Sequence, residues 1–233
     1  MKNRPPRHRI ERTRNKHSRA FIRENTIVIR LARNLSRTEE EDHIESLLHR
    51  MRKYAIEERE KVSIHPFRLL LEGGQTQTVT LATGKQYRFI LLPGQRTCVT
   101  QRNAKTFCIT ISPRVRRRAL HKLLWKTLSE AELPRITSLV ACINQETFRA
   151  RIRPVHLAFA QSQWGSCSHR GTIMINAVLL FLPPSLLRYV TIHELAHTKY
   201  HNHSRAYWEE VKRFLPNYAQ VKEALHHYRL PIL

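Results

Sequence analysis

The stretch TIHELAHTKYHNHSRAYW, Thr191–Trp208, holds four histidines within eleven residues: His193, His197, His201 and His203. A helix would place His193 and His197 one turn apart on the same face, which is the spacing of two ligands to one Zn²⁺. A continuous helix would carry His201 about 12 Å along the axis from His193, whereas zinc–nitrogen bonds are only about 2.0–2.1 Å. A third histidine ligand therefore requires the helix to break soon after His197.

The residues that follow this motif predict such a break. Asn202 tolerates left-handed backbone, and Ser204 is a good N-cap for a second helix. The kink would bring His203 back to the first pair, so His203 is the predicted third ligand. His201 then supports the ligands or faces the substrate. A carboxylate on a later helix, Glu223, is the alternative third ligand.

Glu194 follows the first predicted ligand and lies about 100° round the helix from it. It borders the metal-facing surface, where a carboxylate can hold and deprotonate a water whose pKa zinc lowers toward about 7. Three protein ligands and one water make a catalytic site, so we predict one Zn²⁺ per chain and Glu194 as the general base. Candidates for a second oxyanion donor are His201, Tyr200 and Tyr207. Because Asp42 is the only aspartate, the ligand imidazoles would be oriented by Glu209, Glu210 or backbone carbonyls.

The charge of the chain is extreme, with 41 Lys and Arg against 18 acidic residues and a formal net charge of +23. Such an excess indicates a polyanionic partner, DNA or RNA, although a basic surface that only aids solubility is the alternative. Residues 1–20 are predicted to be a disordered basic arm that could follow phosphates. An Arg-rich helix after Pro113 could bind a phosphate backbone or merely be solvated. Its candidate residues are Arg114, Arg116, Arg117 and Arg118.

Apolar spacing predicts an α+β fold. A hairpin turning at Glu24–Asn25 is followed by a capping box, Ser36–Glu39, that opens an amphipathic helix to about residue 60. Residues 62–112 are predicted as short strands of a small antiparallel sheet. Two helices, strands over 154–182 and the histidine helix from Pro183 follow. The predicted organisation is the arm (1–20), a β-rich region with one amphipathic helix (21–112), and a domain holding the metal site (113–233).

Four scattered cysteines without a CxxC pair indicate a reducing compartment. No apolar run approaches the roughly 20 residues of a membrane span, and the N-terminal residues lack the apolar core of a secretory signal. We therefore expect a cytoplasmic protein with no membrane partner.

Three segments together resemble the signature of the YgjP-like metallopeptidases, small zincins related to the SprT-like and WLM groups. They are QWGSCSHRGTIMIN (163–176), LPPSLLRYVTIHELAH (182–197) and HNHSRAYWEEVKRFLPNY (201–218). The detailed resemblance covers about residues 155–228. The sequence departs from the pattern at Gln163, where a basic residue is common, and at Thr198, where an apolar residue is usual.

The resemblance implies a zincin-like domain in which the HExxH helix packs on a small β-sheet. It implies that His193, His197 and His203 bind zinc, that Glu194 is the catalytic base, and that the substrate is a protein or peptide. Kinship with the SprT-like group extends this to peptidases acting on nucleic-acid-associated proteins. The competing hypothesis is a nucleic-acid-binding protein whose zinc module is structural or vestigial, which would tolerate loss of Glu194.

Overall fold

The computed structural model describes residues 7–23 and 26–231, which fall into two units, Met1–Lys61 and Val62–Leu233. The elements of the first unit are β1 (Arg7–Arg12), β2 (Arg19–Arg23), β3 (Thr26–Leu31) and α1 (Arg37–Glu60). β3 is central, parallel to β1 and antiparallel to β2. Its alternating apolar residues, Ile27 and Ile29, are buried against Leu47 of α1. The predicted hairpin is confirmed, while its turn at Glu24–Asn25 lies outside the described residues.

The capping box of α1 is confirmed. The Ser36 hydroxyl accepts a hydrogen bond from the Glu39 backbone N–H, and the Glu39 carboxylate accepts one from the Ser36 N–H at 2.7 Å. Each bond satisfies a backbone donor that the first turn of a helix would otherwise leave unpaired.

The structure differs from the predicted disordered arm, because residues 7–12 form strand β1. The ladder to β3 supplies backbone partners, and two ion pairs offset the positive charge of these strands. Arg12 donates to Glu40 at 2.7 Å and Arg30 donates to Glu11 at 2.9 Å. Composition alone therefore overstated the disorder of this segment.

The second unit begins with short elements and a four-stranded sheet. They are β4 (Val62–Ser63), α2 (Arg68–Leu71), β5 (Thr76–Thr80), β6 (Gln86–Pro93), β7 (Cys98–Asn103) and β8 (Thr106–Ile111). The strand order is β5-β6-β8-β7, and β6 is parallel to β8, so the predicted antiparallel sheet is in fact mixed. Residues 68–71, predicted as a strand, are helical, because a short apolar run fits either element and Leu70 is buried here on a helical turn.

A single long helix, α3 (Arg117–Glu146), replaces the two predicted helices and contains Pro134. Proline removes one helical hydrogen bond, but buried residues continue on both sides of it, including Leu128 and Ile136. Packing therefore maintains the helix through the proline.

The sheet packs on α3 through a chain of aromatic rings. Phe67 contacts Phe89 of β6 and Trp125 of α3 edge-on, with ring centroids 5.1 and 5.3 Å apart. Because the sheet and the helix share this core, the chain divides after Lys61, whereas the sequence placed the boundary after residue 112.

A second sheet has β9 (Val155–Ala158), β10 (Gly165–Cys167) and β11 (Ile173–Asn176), in the order β10-β11-β9. The predicted strand continues only to Asn176, and Ala177–Phe181 form a 3-10 helix. Asn176 is fully buried, and its side-chain amide donates to the carbonyls of Ala160 and Gln163, each at 2.8 Å. One side chain thus fixes the loop between β9 and β10.

The remaining elements are α4 (Pro184–Ala196), α5 (Arg205–Phe214), α6 (Tyr218–His226) and β12 (Tyr228–Arg229). α4 packs against β10, β11, α3, α5 and α6. β12 pairs in parallel with β4. The fold is therefore a mixed α/β arrangement of six helices and several small sheets among the described residues. None of the described helices is long and apolar enough to cross a membrane.

Candidate metal centre

Helix α4 carries His193 and Glu194 on its last turn and begins at Pro184, at the proline pair that predicted its start. The helix ends at Ala196, where Tyr200 N–H donates to the Ala196 carbonyl at 2.9 Å. The Thr198 hydroxyl donates to the Leu195 carbonyl at 2.6 Å. Thr198, a departure from the YgjP-like pattern, thus satisfies one of the carbonyls that a helix end leaves unpaired.

The predicted break is present, but Asn202 does not make it in the way the sequence suggested. Among the described non-glycine residues only Asn34 and Arg149 have a positive φ. The turn after Ala196 ends the helix several residues before Asn202. The second part of the prediction is confirmed, because Ser204 caps α5 by accepting from the Tyr207 N–H at 3.3 Å.

The break brings three imidazoles together. One ring nitrogen from each of His193, His197 and His203 lies within 4.8 Å of the others, and among the described residues this is the group that could hold a metal ion. The two Nε2 atoms of His193 and His203 are 3.2 Å apart. Two nitrogens bound to one tetrahedral Zn²⁺ at about 2.05 Å would be about 3.3 Å apart. The spacing therefore fits a shared zinc ion.

A backbone carbonyl orients one of these rings. His197 Nδ1 lies 2.9 Å from the Tyr200 carbonyl oxygen. A carbonyl can only accept, so Nδ1 carries the proton and Nε2 presents its lone pair to a metal. Of the two predicted kinds of orienting group, the carbonyl is the one observed for His197. The glutamates are engaged elsewhere: Glu209 pairs with Arg205 at 2.7 Å and Glu210 with Lys199 at 3.2 Å.

Tyr207 is fully buried and ties the two helices together. Its hydroxyl donates to the His193 carbonyl at 3.0 Å, and its ring centroid lies 4.8 Å from that of His197 and 4.9 Å from that of His203. Burial raises the pKa of this phenol. Tyr207, predicted as an oxyanion donor, instead uses its proton to hold the backbone that carries His193.

The other two predicted oxyanion donors, His201 and Tyr200, contact other groups through their rings. The exposed ring of His201 packs 4.7 Å from His169, centroid to centroid. Tyr200 contributes its carbonyl to His197, and the Lys199 ammonium lies 5.2 Å from the centre of its ring. The alternative ligand Glu223 is exposed and lies 3.9 Å from His226.

Burial shifts the pKa values of Glu194 and His193. Only 5% of Glu194 is exposed, and burial raises the pKa of its carboxyl to about 8. Burial, together with the charges of His197 and His203, lowers the pKa of His193 to about 3. The imidazole of His193 is therefore neutral at physiological pH, which is the form that binds metal ions.

Sequence reasoning missed the closeness of Gly165 to Glu194. A Cβ at Gly165 would lie 2.6 Å from Glu194 Oε1 and within 2.9 Å of its Cγ and Cδ. The WGSC motif marked the segment, but no local signal pairs it with Glu194. Strand β10 therefore approaches the carboxylate closely only because residue 165 has no side chain.

Aromatic rings surround the histidines. The Trp208 ring stacks on His203 with centroids 5.5 Å apart, and Tyr218 stacks on Trp208 at 5.3 Å. Tyr189 lies 5.9 Å from His193. The position of Tyr189, four residues before His193, could have revealed this contact, because residues four apart share a helix face.

The Arg-rich start of α3 is exposed, as predicted. Arg116 is the N-cap and Arg117 and Arg118 lie in the first turn. Arg114, Arg117 and Arg118 border three different surface cavities. The predicted arginines therefore do not line a single cavity.

Comparison with known families now bears on these residues. The model of the family described as "YgjP-like, metallopeptidase domain" matches residues 16–228, most of the chain. The chain belongs to the YgjP-like metallopeptidase family. This membership makes it an enzyme that hydrolyses peptide bonds of a protein or peptide substrate, and it implies a catalytic metal, typically zinc.

Two crystal structures of metallopeptidase zymogens have partial similarity to this YgjP-like chain. Abylysin of Pyrococcus abyssi is 22% identical over 41% of this chain and 99% of its own, with a TM-score of 0.37. Jannalysin of Methanocaldococcus jannaschii is 20% identical over 39% of this chain and 92% of its own, with a TM-score of 0.35. No curated protein matches the chain.

Proposed function

We propose that this YgjP-like chain is a zinc peptidase of the zincin type, in which His193, His197 and His203 bind one Zn²⁺ and Glu194 is the general base. The observation that carries the proposal is the convergence of three ring nitrogens within 4.8 Å of one another. A buried carboxylate on the same helical turn supports it. Three histidines leave a fourth position for water, as catalytic zinc sites require.

When bound, zinc supplies a Lewis acid that polarises the scissile carbonyl and lowers the pKa of a water molecule. The chain supplies the proton transfer. Glu194 in its ionised form accepts a proton from the attacking water and then donates it to the leaving amine nitrogen. A nearby cation favours ionisation of Glu194, which opposes the effect of burial on its pKa.

The substrate would lie along β10. This strand is the edge of its sheet, next to β11 on one side and packed against α4. An extended peptide can add to such an edge through backbone hydrogen bonds. Gly165, on this strand, lies against Glu194, so a peptide bound there would pass close to the proposed base.

Replacing Glu194 by Gln tests the proposal. The variant is expected to bind zinc as the wild type does, and to lose about 10²–10⁴-fold in kcat because a general base contributes that much. Metal content and cleavage of a broad peptide library measure the two quantities. Glu209→Gln is the matched control, since Glu209 is exposed and pairs with Arg205. Full activity of Glu194→Gln would overturn the assignment of the base.

A second candidate function rests on the net charge of +23. We propose as the alternative a nucleic-acid-binding protein whose zinc module is structural or vestigial. The two functions combine in a peptidase that acts on nucleic-acid-associated proteins. Exposed Arg7 and Arg9 on β1, and the exposed start of α3, support phosphate contacts.

A further inference from the structure

We propose that a groove along α3 selects acidic side chains of the peptide substrate, about three to five residues from the cleaved bond. The groove has a volume of about 710 Å³ and lies between α3 and residues 157–162. It is called the α3 groove below. The proposal rests on the peptidase activity proposed above and adds a substrate class to it.

The rim of the α3 groove is basic. Arg118, Lys122 and Lys126 follow one another at four-residue spacing, so they lie on one face of the helix. All three side chains are exposed. The Lys126 ammonium lies 3.7 Å from the carboxylate of Glu130, which also lines the groove. Within the described part of the chain, neither Arg118 nor Lys122 has a carboxylate within 4.0 Å.

The helix itself adds to this positive potential. Arg118 lies in the first turn of α3, which contains no acidic residue. The N-terminal end of a helix carries a partial positive charge that acidic side chains normally offset. Here Arg117 and Arg118 occupy the turn instead, so no acidic residue of the turn offsets the positive potential at this end of the helix.

The walls of the groove suit an acidic side chain rather than a bare anion. Trp125 and Phe159 stack at 5.0 Å with their planes 12° apart, and Leu157 lies beside them. Trp125 and Leu157 are buried beneath this wall, and the half-buried Phe159 and the exposed Ala158 offer an apolar surface to the methylenes of a Glu side chain. Ser129, also in the wall, is 4% exposed and its hydroxyl oxygen is buried, so it contributes to the wall and is not open to a ligand.

Chain connectivity limits the separation between the α3 groove and Gly165, which lies against Glu194. Gln161 and Ser162, in the groove wall, precede Gly165 of β10 by four and three residues. Each residue spans at most about 3.6 Å, so Ser162 lies within roughly 11 Å of Gly165. A peptide that lies along β10 and continues past Gly165 would therefore reach the groove wall after about three residues. The buried Asn176 amide fixes this loop, which keeps the separation constant.

A nucleic acid is the other polyanion that a basic rim could bind, and the structure favours the peptide. Binding of single strands relies on aromatic faces that are open to the bases. The Trp125 ring is 1% exposed and already stacks on Phe159. Ser162 in the groove wall is also only three residues before Gly165, which lies against the carboxylate proposed to act on peptide bonds.

The test uses the full chain loaded with zinc and pairs of fluorogenic peptides. Each pair differs only by Glu or Gln, placed at successive positions on both sides of the cleaved bond. With two exposed ion pairs, kcat/KM for the best Glu peptide is expected to exceed that of its Gln partner roughly fivefold. The difference should lie mainly in KM and shrink as salt is raised.

The double variant Arg118→Gln/Lys122→Gln is expected to lose this preference while cleaving the Gln peptides as the wild type does. Arg102→Gln/Lys105→Gln is the matched control, because it removes the same charge from the exposed end of the β7–β8 hairpin. Loss of the preference in both variants would overturn the proposal, since net charge would then account for it.

Failure of the two proposals can be told apart. Equal cleavage of Glu and Gln peptides by the wild type would overturn the groove assignment and leave the peptidase intact. If the wild type cleaves neither the Glu nor the Gln peptides, the proposed peptidase function is overturned, and the groove assignment that rests on it is overturned with it. A labelled oligonucleotide bound by the wild type but not by Arg118→Gln/Lys122→Gln, together with indifference to peptide charge, would assign the groove to nucleic acid.

Discussion

One hydrogen bond with the backbone orients His197 and selects its tautomer. The carbonyl of Tyr200 accepts from Nδ1 at 2.9 Å, so in the neutral ring Nε2 is the nitrogen with the free lone pair. This contact exists because the helix ends at Ala196 and the chain turns back. A fixed tautomer removes the need to shift a proton before metal binds.

His203 should be essential for metal affinity. Its Nε2 lies 3.2 Å from that of His193, so His203→Ala removes one of three ligands and is expected to bind well under one zinc per chain after dialysis. His201→Ala is the control, because His201 packs on His169 outside the group. The zinc content per chain of both variants, measured after dialysis, tests this prediction. Stoichiometric zinc in His203→Ala would instead favour a carboxylate ligand such as Glu223.

His121 should make stability depend on pH. It is 4% exposed and accepts from the Trp125 indole N–H at 3.0 Å, and burial lowers its pKa to about 4. The unfolded chain takes up the proton first as pH falls below the ordinary value of about 6.5. The free energy of unfolding should therefore decrease between pH 6.5 and 4, by at most about 3 kcal/mol.

Urea unfolding of the metal-free protein across this range measures the effect. His121→Gln keeps an acceptor for Trp125 but cannot titrate, so its unfolding free energy should decrease less steeply than that of the wild type. Parallel pH profiles for the two proteins would contradict the assignment to His121.

The convergence of the three histidines proposed as zinc ligands could be predicted from the sequence because spacing on a helix is local geometry. On a continuous helix His201 would lie too far from His193 to bind the same zinc ion. The N-cap signal at Ser204 predicted a second helix, and the turn before it brings His203 back to the first pair. Gly165 could not be found this way, since its approach to Glu194 depends on how β10 packs against α4. Tyr207 was named for its hydroxyl, but burial directs that hydroxyl to the His193 carbonyl.

At the scale of elements, the contact between β10 and α4 leaves no room for a side chain at residue 165. Gly165→Ala would place a Cβ under 3.0 Å from three atoms of Glu194. We expect the variant to retain zinc and to lose at least about tenfold in kcat/KM, because misplacing a catalytic group by about 1 Å can cost about 10²-fold. Peptide cleavage and metal content measure this. Ser166→Ala on the same strand is the control, and wild-type activity in Gly165→Ala would show that Glu194 can move aside.

Helices that begin at a strong local sequence signal could be predicted. Elements whose type, helix or strand, depends on packing could not. The capping box at Ser36 and the proline pair at Pro183 fixed the starts of two helices. Residues 68–71 form a helix because the three leucines are compatible with either element and only the core decides. Helix α3 runs through Pro134 because buried residues on both sides outweigh one lost hydrogen bond.

At the scale of the molecule, the charge of +23 should be visible as salt-dependent binding of DNA. If several phosphates are neutralised, the logarithm of the binding constant falls by about 0.9 per contact for each decade of salt. Fluorescence anisotropy of a labelled duplex at several salt concentrations gives this slope. A flat response would exclude the nucleic-acid role.

Substitutions, rather than a deletion, are needed to locate the residues that contact DNA phosphates. Deleting residues 1–20 would remove β1, which pairs with the central strand β3. Arg7→Gln/Arg9→Gln keeps the strand and should reduce the slope by roughly one to two. Arg102→Gln/Lys105→Gln serves again as the charge-matched control.

The division of the chain could not be predicted from composition. A shift from strands to helices suggested a boundary near residue 112, but Phe67, Phe89 and Trp125 pack together across it. Contacts between segments far apart in the sequence do not produce a periodic pattern of apolar residues that could predict them. The mixture of helices and small sheets, in contrast, followed from periodicity.

The pairing of β12 with β4 brings the first and last strands of the second unit side by side. Tyr228 lies opposite Val62, and the Val62 N–H donates to the His227 carbonyl at 2.8 Å. A short glycine-rich bridge could join these ends, and new termini could open at the exposed Ala104–Lys105 tip. Such a circular permutant would reorder the gene while each imidazole kept its neighbours. The first and last strands of the larger unit, which carries the proposed zinc site, are thus neighbours, so more than one order of its elements along the chain could produce the same arrangement.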